Sequence, residues 1–312
     1  MGKASTDQDN AMSRIHYESC PGCGATQLAP VFTVTDHAVS GESFPLVACA
    51  ACGLRFTQEA PDAQDIGRYY RSVAYVPHTE SKRNLINRLF RLVRKITLRQ
   101  KLRWIERASG LTRGALLDIG CGSGAFLKFM QAHGWTVTGI EPSEAATRTA
   151  QECYGLTIRP EVTIFNLPAG QFDVLTLWHV LEHVHEVHAY LDRLRQLAKP
   201  GGVILLAVPN QASSDCRHYQ ADWYAFDVPR HLYHFAPESM RRLLERHALK
   251  VETMLPMPFD AFYISLLSEQ ARHNPLWLFA GGWRGLCAWL AARRDPTLSS
   301  SLTYVCRVSP AS

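Results

Sequence analysis

The sequence predicts an α/β fold, a doubly wound sheet preceded by a small metal-held module, and three observations carry that prediction. "ALLDIGCGSGAFLKFMQAHGWTVTGIE" reads strand (Ala115 to Ile119), glycine turn, helix and second strand (Thr136 to Ile140), ending at the acid Glu141. Two cysteine pairs, Cys20 with Cys23 and Cys49 with Cys52, stand ahead of it. Downstream, "DVLTLW" and "VILLAV" are short apolar runs separated by a helical stretch, the pattern of buried parallel strands.

With 312 residues, 46% hydrophobic and 20% charged, the chain can bury one large core and a smaller one. The start, "MGKASTDQDNAMSR", is polar throughout, and residues 1–14 are expected to form a disordered tail. No uninterrupted apolar run reaches the ~20 residues that a bilayer span needs, so the expected location is cytoplasmic. The net charge of +5 is unevenly spread: Lys82 to Arg107 carries ten Lys or Arg against the single acid Glu106. Of nine cysteines, four fall in the two tight pairs and five are scattered, which fits reduced thiols and one metal site.

The first module is expected over residues 15–60. In "CPGCG" and "CAACG" each turn presents two thiolates, and the glycine after the second lets backbone N–H groups face sulfur. Together Cys20, Cys23, Cys49 and Cys52 complete a tetrahedral shell for Zn²⁺. With "LAPVFTVTDHAV" and "FPLVAC" as short strands, the unit resembles a zinc ribbon. A closed thiolate shell leaves no position for water or substrate, so the zinc is expected to be structural.

Residues 61–110 read as a helical linker and cap. "LINRLFRLVRKITLRQKLRWIERA" places Leu85, Leu89, Val93 and Ile96 at helical spacing, with basic residues elsewhere around the wheel. Such a helix packs its stripe on its own protein or meets an anionic partner.

In the core, expected over 111–312, Gly120, Gly122 and Gly124 let a ligand approach the backbone, and Glu141 is placed to take two ribose hydroxyls. The acid Asp118 directly before the glycines would repel a pyrophosphate and suits a cofactor with a cationic amino group. "DIGCGSG" and "TVTGIEPS" resemble the signatures of class I S-adenosylmethionine-dependent methyltransferases. That resemblance implies S-adenosyl-L-methionine as cofactor, held by Asp118, Gly120, Cys121, Gly122, Gly124, Glu141, Pro142 and Trp178. It also implies a Rossmann-like sheet of seven strands in the order 3-2-1-4-5-7-6, the last antiparallel. "VILLAV" supplies the fifth strand, Val203 to Val208, and "LKVETMLPM" and "LTYVCRV" the last two. More narrowly, "HVLEHV" and "PRHLYHF" look like a broad subgroup that also carries an N-terminal "CPGCG" module.

"WHVLEHV" contains H-x-x-E-H, the order of inverted zinc peptidases, but His179 directly follows an apolar strand and so sits at the sheet's carboxyl edge, which excludes a protease. Methyl transfer to a hydroxyl requires alignment and loss of a proton. His179 is the first candidate base, His231 the second, and His183, four residues after His179, shares a face with it if the segment is helical. "DWYAFDVPRHLYHF" offers Arg230, Tyr233 and His234 to an acidic or hydroxylated acceptor. By resemblance to zinc-module sugar methyltransferases, Tyr75 and His78 close over the site.

Finally, "NPLWLFAGGWRGLCAWLAARR", inside a helical insertion at about 262–298, resembles an interfacial helix pair with Trp277, Trp283 and Trp289. It packs on the basic helix, or both face a membrane. The leading expectation is methyl transfer to a small-molecule acceptor: a sugar, a polysaccharide precursor or another secondary metabolite, lipid-linked if those helices meet a membrane. The alternatives are an RNA methyltransferase guided by the module and basic helix, disfavoured by "CAACGLRF", and a non-catalytic S-adenosylmethionine-binding protein.

Overall fold

The structure, a computed structural model, describes residues 13–70 and 85–308. The first of these segments contains β1 (Arg14–Ile15), β2 (Leu28–Thr35), β3 (Ser43–Cys49), β4 (Arg55–Thr57) and β5 (Ala60–Pro61). The basic helix α1 (Leu85–Ser109) leads into β6 (Ala115–Ile119), α2 (Ala125–Ala132), β7 (Thr136–Ile140), α3 (Glu144–Tyr154) and β8 (Ile158–Arg159). Then follow β9 (Phe172–Trp178), α4 (Val187–Leu197), β10 (Ala198–Pro209), α5 (Ser214–Tyr219), β11 (Tyr233–His234) and α6 (Pro237–Arg246). The last elements are β12 (Leu249–Pro256), the helix pair α7 (Asp260–Ala271) and α8 (Trp277–Arg294), and β13 (Ser301–Val308).

Seven strands form the main sheet in the order β12-β13-β10-β9-β6-β7-β8. Counted along the core this is 3-2-1-4-5-7-6, and β13 runs antiparallel to both of its neighbours, as expected. Alternation along each strand divides the apolar side chains between two layers. Leu117, Ile119, Leu175, Leu177, Ile204 and Leu206 face α4, α6 and the cysteine module. Leu116, Val174, Val203 and Leu205 face α1 and α2. β10 is longer than predicted: it takes in the "KPGG" turn as a register irregularity between Ala198 and Val203.

The cysteine module shares its sheet and its core with the rest of the chain. Its strands β2, β3 and β4 are completed at one edge by β11, with Tyr233 opposite Phe56 and His234 opposite Arg55. Leu54 and Phe56 lie in the same apolar cluster as the main-sheet strands.

The Trp-rich helix α8 packs on α7. Gly281 and Gly285 make this possible, since a Cβ on either would lie 2.7 Å from the backbone of Leu266 or Phe262. On its outer side Phe279, Leu276 and Trp283 are exposed. Among the described residues no helix is long and apolar enough to cross a membrane.

Candidate active site

The carboxyl ends of β6, β7 and β9 meet at the glycine turn. Gly120 and Cys121 donate their N–H groups to the carbonyl of Ile140 at 2.8 and 3.1 Å, which seats the turn against β7. Gly122 has φ +54°, a conformation that glycine adopts without strain, and no heavy atom lies within 4 Å of the place its Cβ would occupy. The space above it is open to a ligand. Glu141 reaches over the turn, accepting from Gly122 N at 2.8 Å and from Ser143 N at 3.0 Å.

Asp118 is buried below the turn and accepts from Thr176 Oγ1 at 2.6 Å. Burial pushes its carboxyl up to about 7, although Thr176 and Lys101 act the other way. Trp178, at the end of β9, stands edge-on to Phe126 and carries the Lys101 ammonium 3.8 Å from its ring centroid. This wall accepts a cation. Burial lowers the Lys101 ammonium to about 8.

Beyond Trp178 the chain turns sharply. His179 has φ +59°, a left-handed conformation that a side chain with a Cβ rarely adopts, and its N–H donates to Ala207 O at 2.9 Å. Its ring lies between two carboxylates, with Nδ1 3.4 Å from Glu182 Oε1 and Nε2 3.2 Å from Asp260 Oδ2. Burial disfavours the charged ring, but Asp260 and Glu182 outweigh it and push the pKa up to about 10. The two carboxylates therefore favour the imidazolium form of His179 at neutral pH, the opposite of the neutral ring that a general base needs.

Residues Leu181 to His183 form a single 3₁₀ turn. His179 and His183 consequently do not share an α-helical face, and they are brought together through Glu182 instead. Burial and the neighbouring His231 lower the His183 ring to about 4, so it is neutral. Its Nδ1 lies 3.0 Å from Arg230 O and 2.9 Å from the Tyr70 hydroxyl, and the His231 ring is 4.6 Å away centre to centre. His231 has Nδ1 at 2.9 Å from Ala225 O and Nε2 at 4.0 Å from Glu182 Oε1 and 3.8 Å from Asp227 Oδ2.

The acceptor-binding expectations for "PRHLYHF" require correction. Arg230 is spent inside the protein, donating to Asp36 at 2.9 Å, to Asp227 and to the Tyr69 carbonyl at 3.0 Å. Tyr233 is buried and donates to His185 O at 2.8 Å. His234, also buried, contacts Thr57 Oγ1 at 3.1 Å and packs edge-on to Phe226. All three hold the seam between core and module. Tyr75 and His78 lie outside the described residues.

Sequence reasoning missed Asp260, Lys101 and Asp227. Asp260 and Lys101 reach the site from other elements, so no local spacing marked them, and Asp260 had one faint signal, an acid at the start of a helix; Asp227, four residues before His231, lay inside "DWYAFDVPRHLYHF" and was passed over.

At the module, Cys20 Sγ lies 3.6 Å from Cys52 Sγ, Cys23 Sγ lies 3.6 Å from Cys49 Sγ, and all four sulfurs are within 4.8 Å of one another. Sulfurs at ~2.3 Å around a tetrahedral Zn²⁺ stand about 3.8 Å apart. The cluster has that size. A separate hollow of about 330 Å³, lined in part by Ala115, Thr136 and Phe172, opens where strands begin, and holds none of these groups.

Comparison with known proteins agrees with this layout. A curated "Ubiquinone biosynthesis O-methyltransferase" of Pseudomonas aeruginosa (strain PAO1) is 35% identical over 119 residues, 36% of this chain and 51% of that protein. The protein of the same description from Thiobacillus denitrificans is 28% identical over 173 residues, 51% of this chain and 75% of its own length. The chain spans about half the length of the first curated relatives it matches. A putative sarcosine dimethylglycine methyltransferase from Galdieria sulphuraria superposes with a TM-score of 0.49 at 15% identity, covering 69% of this chain and 88% of that one. A family model described as "Methyltransferase domain" matches residues 89–254, from the basic helix to β12 and just over half the chain. By that match the chain belongs to the methyltransferase-domain family, and its sheet has the seven-strand order expected of the class I fold.

Proposed function

We propose that the protein transfers a methyl group from S-adenosylmethionine to a hydroxyl oxygen of a small-molecule acceptor. The observation that carries this reading is the open space over Gly122, whose N–H is held by the Glu141 carboxylate. The residues fit a sulfonium nucleoside: Glu141 takes the ribose hydroxyls, and Asp118 and Trp178 suit positive charge nearby. When bound, the cofactor supplies an electrophilic methyl carbon on a positive sulfur.

The chain's own groups align the acceptor and deal with its proton. His179, fixed as an imidazolium between Asp260 and Glu182, offers charge and N–H groups to an acceptor oxygen that becomes anionic. His183 and His231, beside the buried Glu182, assist deprotonation. The printed description of the curated relatives as O-methyltransferases supports oxygen as the atom methylated.

In this reading residues 15–60 are a module held by structural zinc on Cys20, Cys23, Cys49 and Cys52, 61–110 a linker, and 111–312 the catalytic core. The exposed Phe279 and Trp283 of α8, with Leu276 just before it, meet a membrane surface, and the acceptor is lipid-soluble. Calorimetry with S-adenosylhomocysteine tests the cofactor assignment. Saturable binding that weakens at least ~10-fold in Glu141→Ala is expected; indifference to it together with uptake of a nicotinamide or flavin would overturn the proposal.

A further inference from the structure

We propose that Glu182, His183 and His231 bind a divalent metal ion, and that this ion takes the acceptor's oxygen; the second half of this inference rests on the methyl-transfer reading above. The first observation is Glu182. Its side chain is completely buried, yet neither carboxylate oxygen has a hydrogen-bond partner among the described residues. Its nearest polar contacts are His179 Nδ1 at 3.4 Å and His231 Nε2 at 4.0 Å, both too long for a good bond. The His179 ring supplies charge but no bond of good length, so both carboxylate oxygens are buried without a hydrogen bond, a cost that a bound cation removes.

The second observation is the proton on each imidazole. A backbone carbonyl can only accept, so Nδ1 of His231 facing Ala225 O carries hydrogen, and so does Nδ1 of His183 in the tautomer that donates to Arg230 O and leaves the Tyr70 hydroxyl as a second acceptor. An imidazole protonated only at Nδ1 presents its lone pair on Nε2. Second-sphere carbonyls orient metal-binding histidines in this way.

The third observation is spacing. One ligating atom from each of Glu182, His183 and His231 lies within 4.8 Å of the other two. Ligands at ~2.0–2.2 Å from a common ion stand about 3–3.5 Å apart, so a small inward adjustment closes the site. Asp227 Oδ2, 3.8 Å from His231 Nε2, is near enough to join them.

Two imidazoles and a carboxylate favour a transition ion such as Fe²⁺ or Zn²⁺, accept Mn²⁺ as a stand-in, and leave open positions for a ligand oxygen. The position suits methyl transfer. Val180, one residue before this turn, sits 2.4 Å from where a Cβ on Gly120 would be, so the cluster adjoins the glycine turn. Coordination acidifies an acceptor hydroxyl, whose proton passes to solvent. The oxygen then forms a bond to the methyl carbon as the S–C bond breaks and its electron pair returns to sulfur, leaving a neutral thioether.

The test titrates Mn²⁺, which thiolates bind poorly, into the full chain with its thiolate-bound zinc retained, following free Mn²⁺ by electron paramagnetic resonance. Saturable binding is expected in the wild type, weakened at least ~10-fold in both Glu182→Gln and His231→Gln. Equal binding in wild type and variants, or none in the wild type, would overturn the metal site. Titration of S-adenosylhomocysteine on the same samples reports that the variants are folded and separates the two readings. Retained cofactor binding without Mn²⁺ binding removes the metal alone, whereas a wild type that does not bind S-adenosylhomocysteine removes the methyl-transfer reading.

Discussion

The hydroxyl of Thr57, in the cysteine module, donates to the carbonyl of His231, in the histidine–glutamate cluster, at 2.7 Å. Next to it Thr57 N–H donates to Leu232 O at 2.9 Å, and Leu232 N–H donates to Glu182 O at 2.7 Å. The module thus holds the backbone on which the cluster is built.

It follows that loss of a thiolate should be felt at the cluster. In Cys49→Ser the amide of Leu232 is expected to exchange with solvent at least ~10-fold faster than in the wild type, while amides in the middle of β6 keep their protection. Hydrogen exchange by mass spectrometry reads both. Unchanged protection at Leu232 would show that the cysteine cluster does not support the site.

The ion pair of Arg230 with Asp36, at 2.9 Å, is the second tie across this seam, and both side chains are almost fully buried. Asp36→Ala leaves a buried guanidinium short of a partner and strips the Ser40 and Val39 N–H groups of their acceptor. Breaking one side of such a pair costs about 3–5 kcal/mol. Urea denaturation of wild type and variant measures it, and a difference below ~1 kcal/mol would mean that the charge finds water or another partner.

His179 makes stability depend on pH in a direction set by its two carboxylate neighbours. Its folded pKa, about 10, lies above the ordinary 6.5, so its contribution is complete below about 6.5 and is lost as pH rises toward about 10. The urea midpoint of the wild type should fall across that window more steeply than that of His179→Gln. Parallel curves would show that the ring is not held as a cation.

On α8, Phe279 is 80% exposed and Trp283 63% exposed, enough for an apolar contact to a bilayer. Sedimentation with anionic vesicles should carry down the wild type and leave the Phe279→Ser, Trp283→Ser double variant in the supernatant. Neither substitution touches the packed Gly281 and Gly285 side, so its thermal midpoint should stay near that of the wild type. Equal sedimentation would dismiss the contact.

The parts of the fold written in local patterns were legible in the sequence. Alternating apolar strands, the glycine turn and Glu141 each announce themselves within a few residues, and the cysteine spacing marks its cluster. What was hidden depends on distant elements. β11 is two residues long, and nothing in "YH" says that it pairs with Arg55 and Phe56. Asp260 reaches His179 from a helix beyond the sixth strand, and Lys101, in a charge pattern that reads as a solvated face, turns its ammonium onto Trp178. Tyr233 and His234 were misplaced because an aromatic or a histidine in a loop reads the same whether it faces a ligand or a seam.

Completion of the module's sheet by Tyr233 and His234 has a consequence for how the chain is assembled. A strand near the N-terminus waits for a partner from the last third of the polypeptide, a pairing of high contact order that forms late. Until then β4 presents an open edge, the kind that recruits strands from other molecules. Any truncation that stops short of Tyr233 leaves that edge permanently bare, and such fragments should aggregate where the whole chain does not.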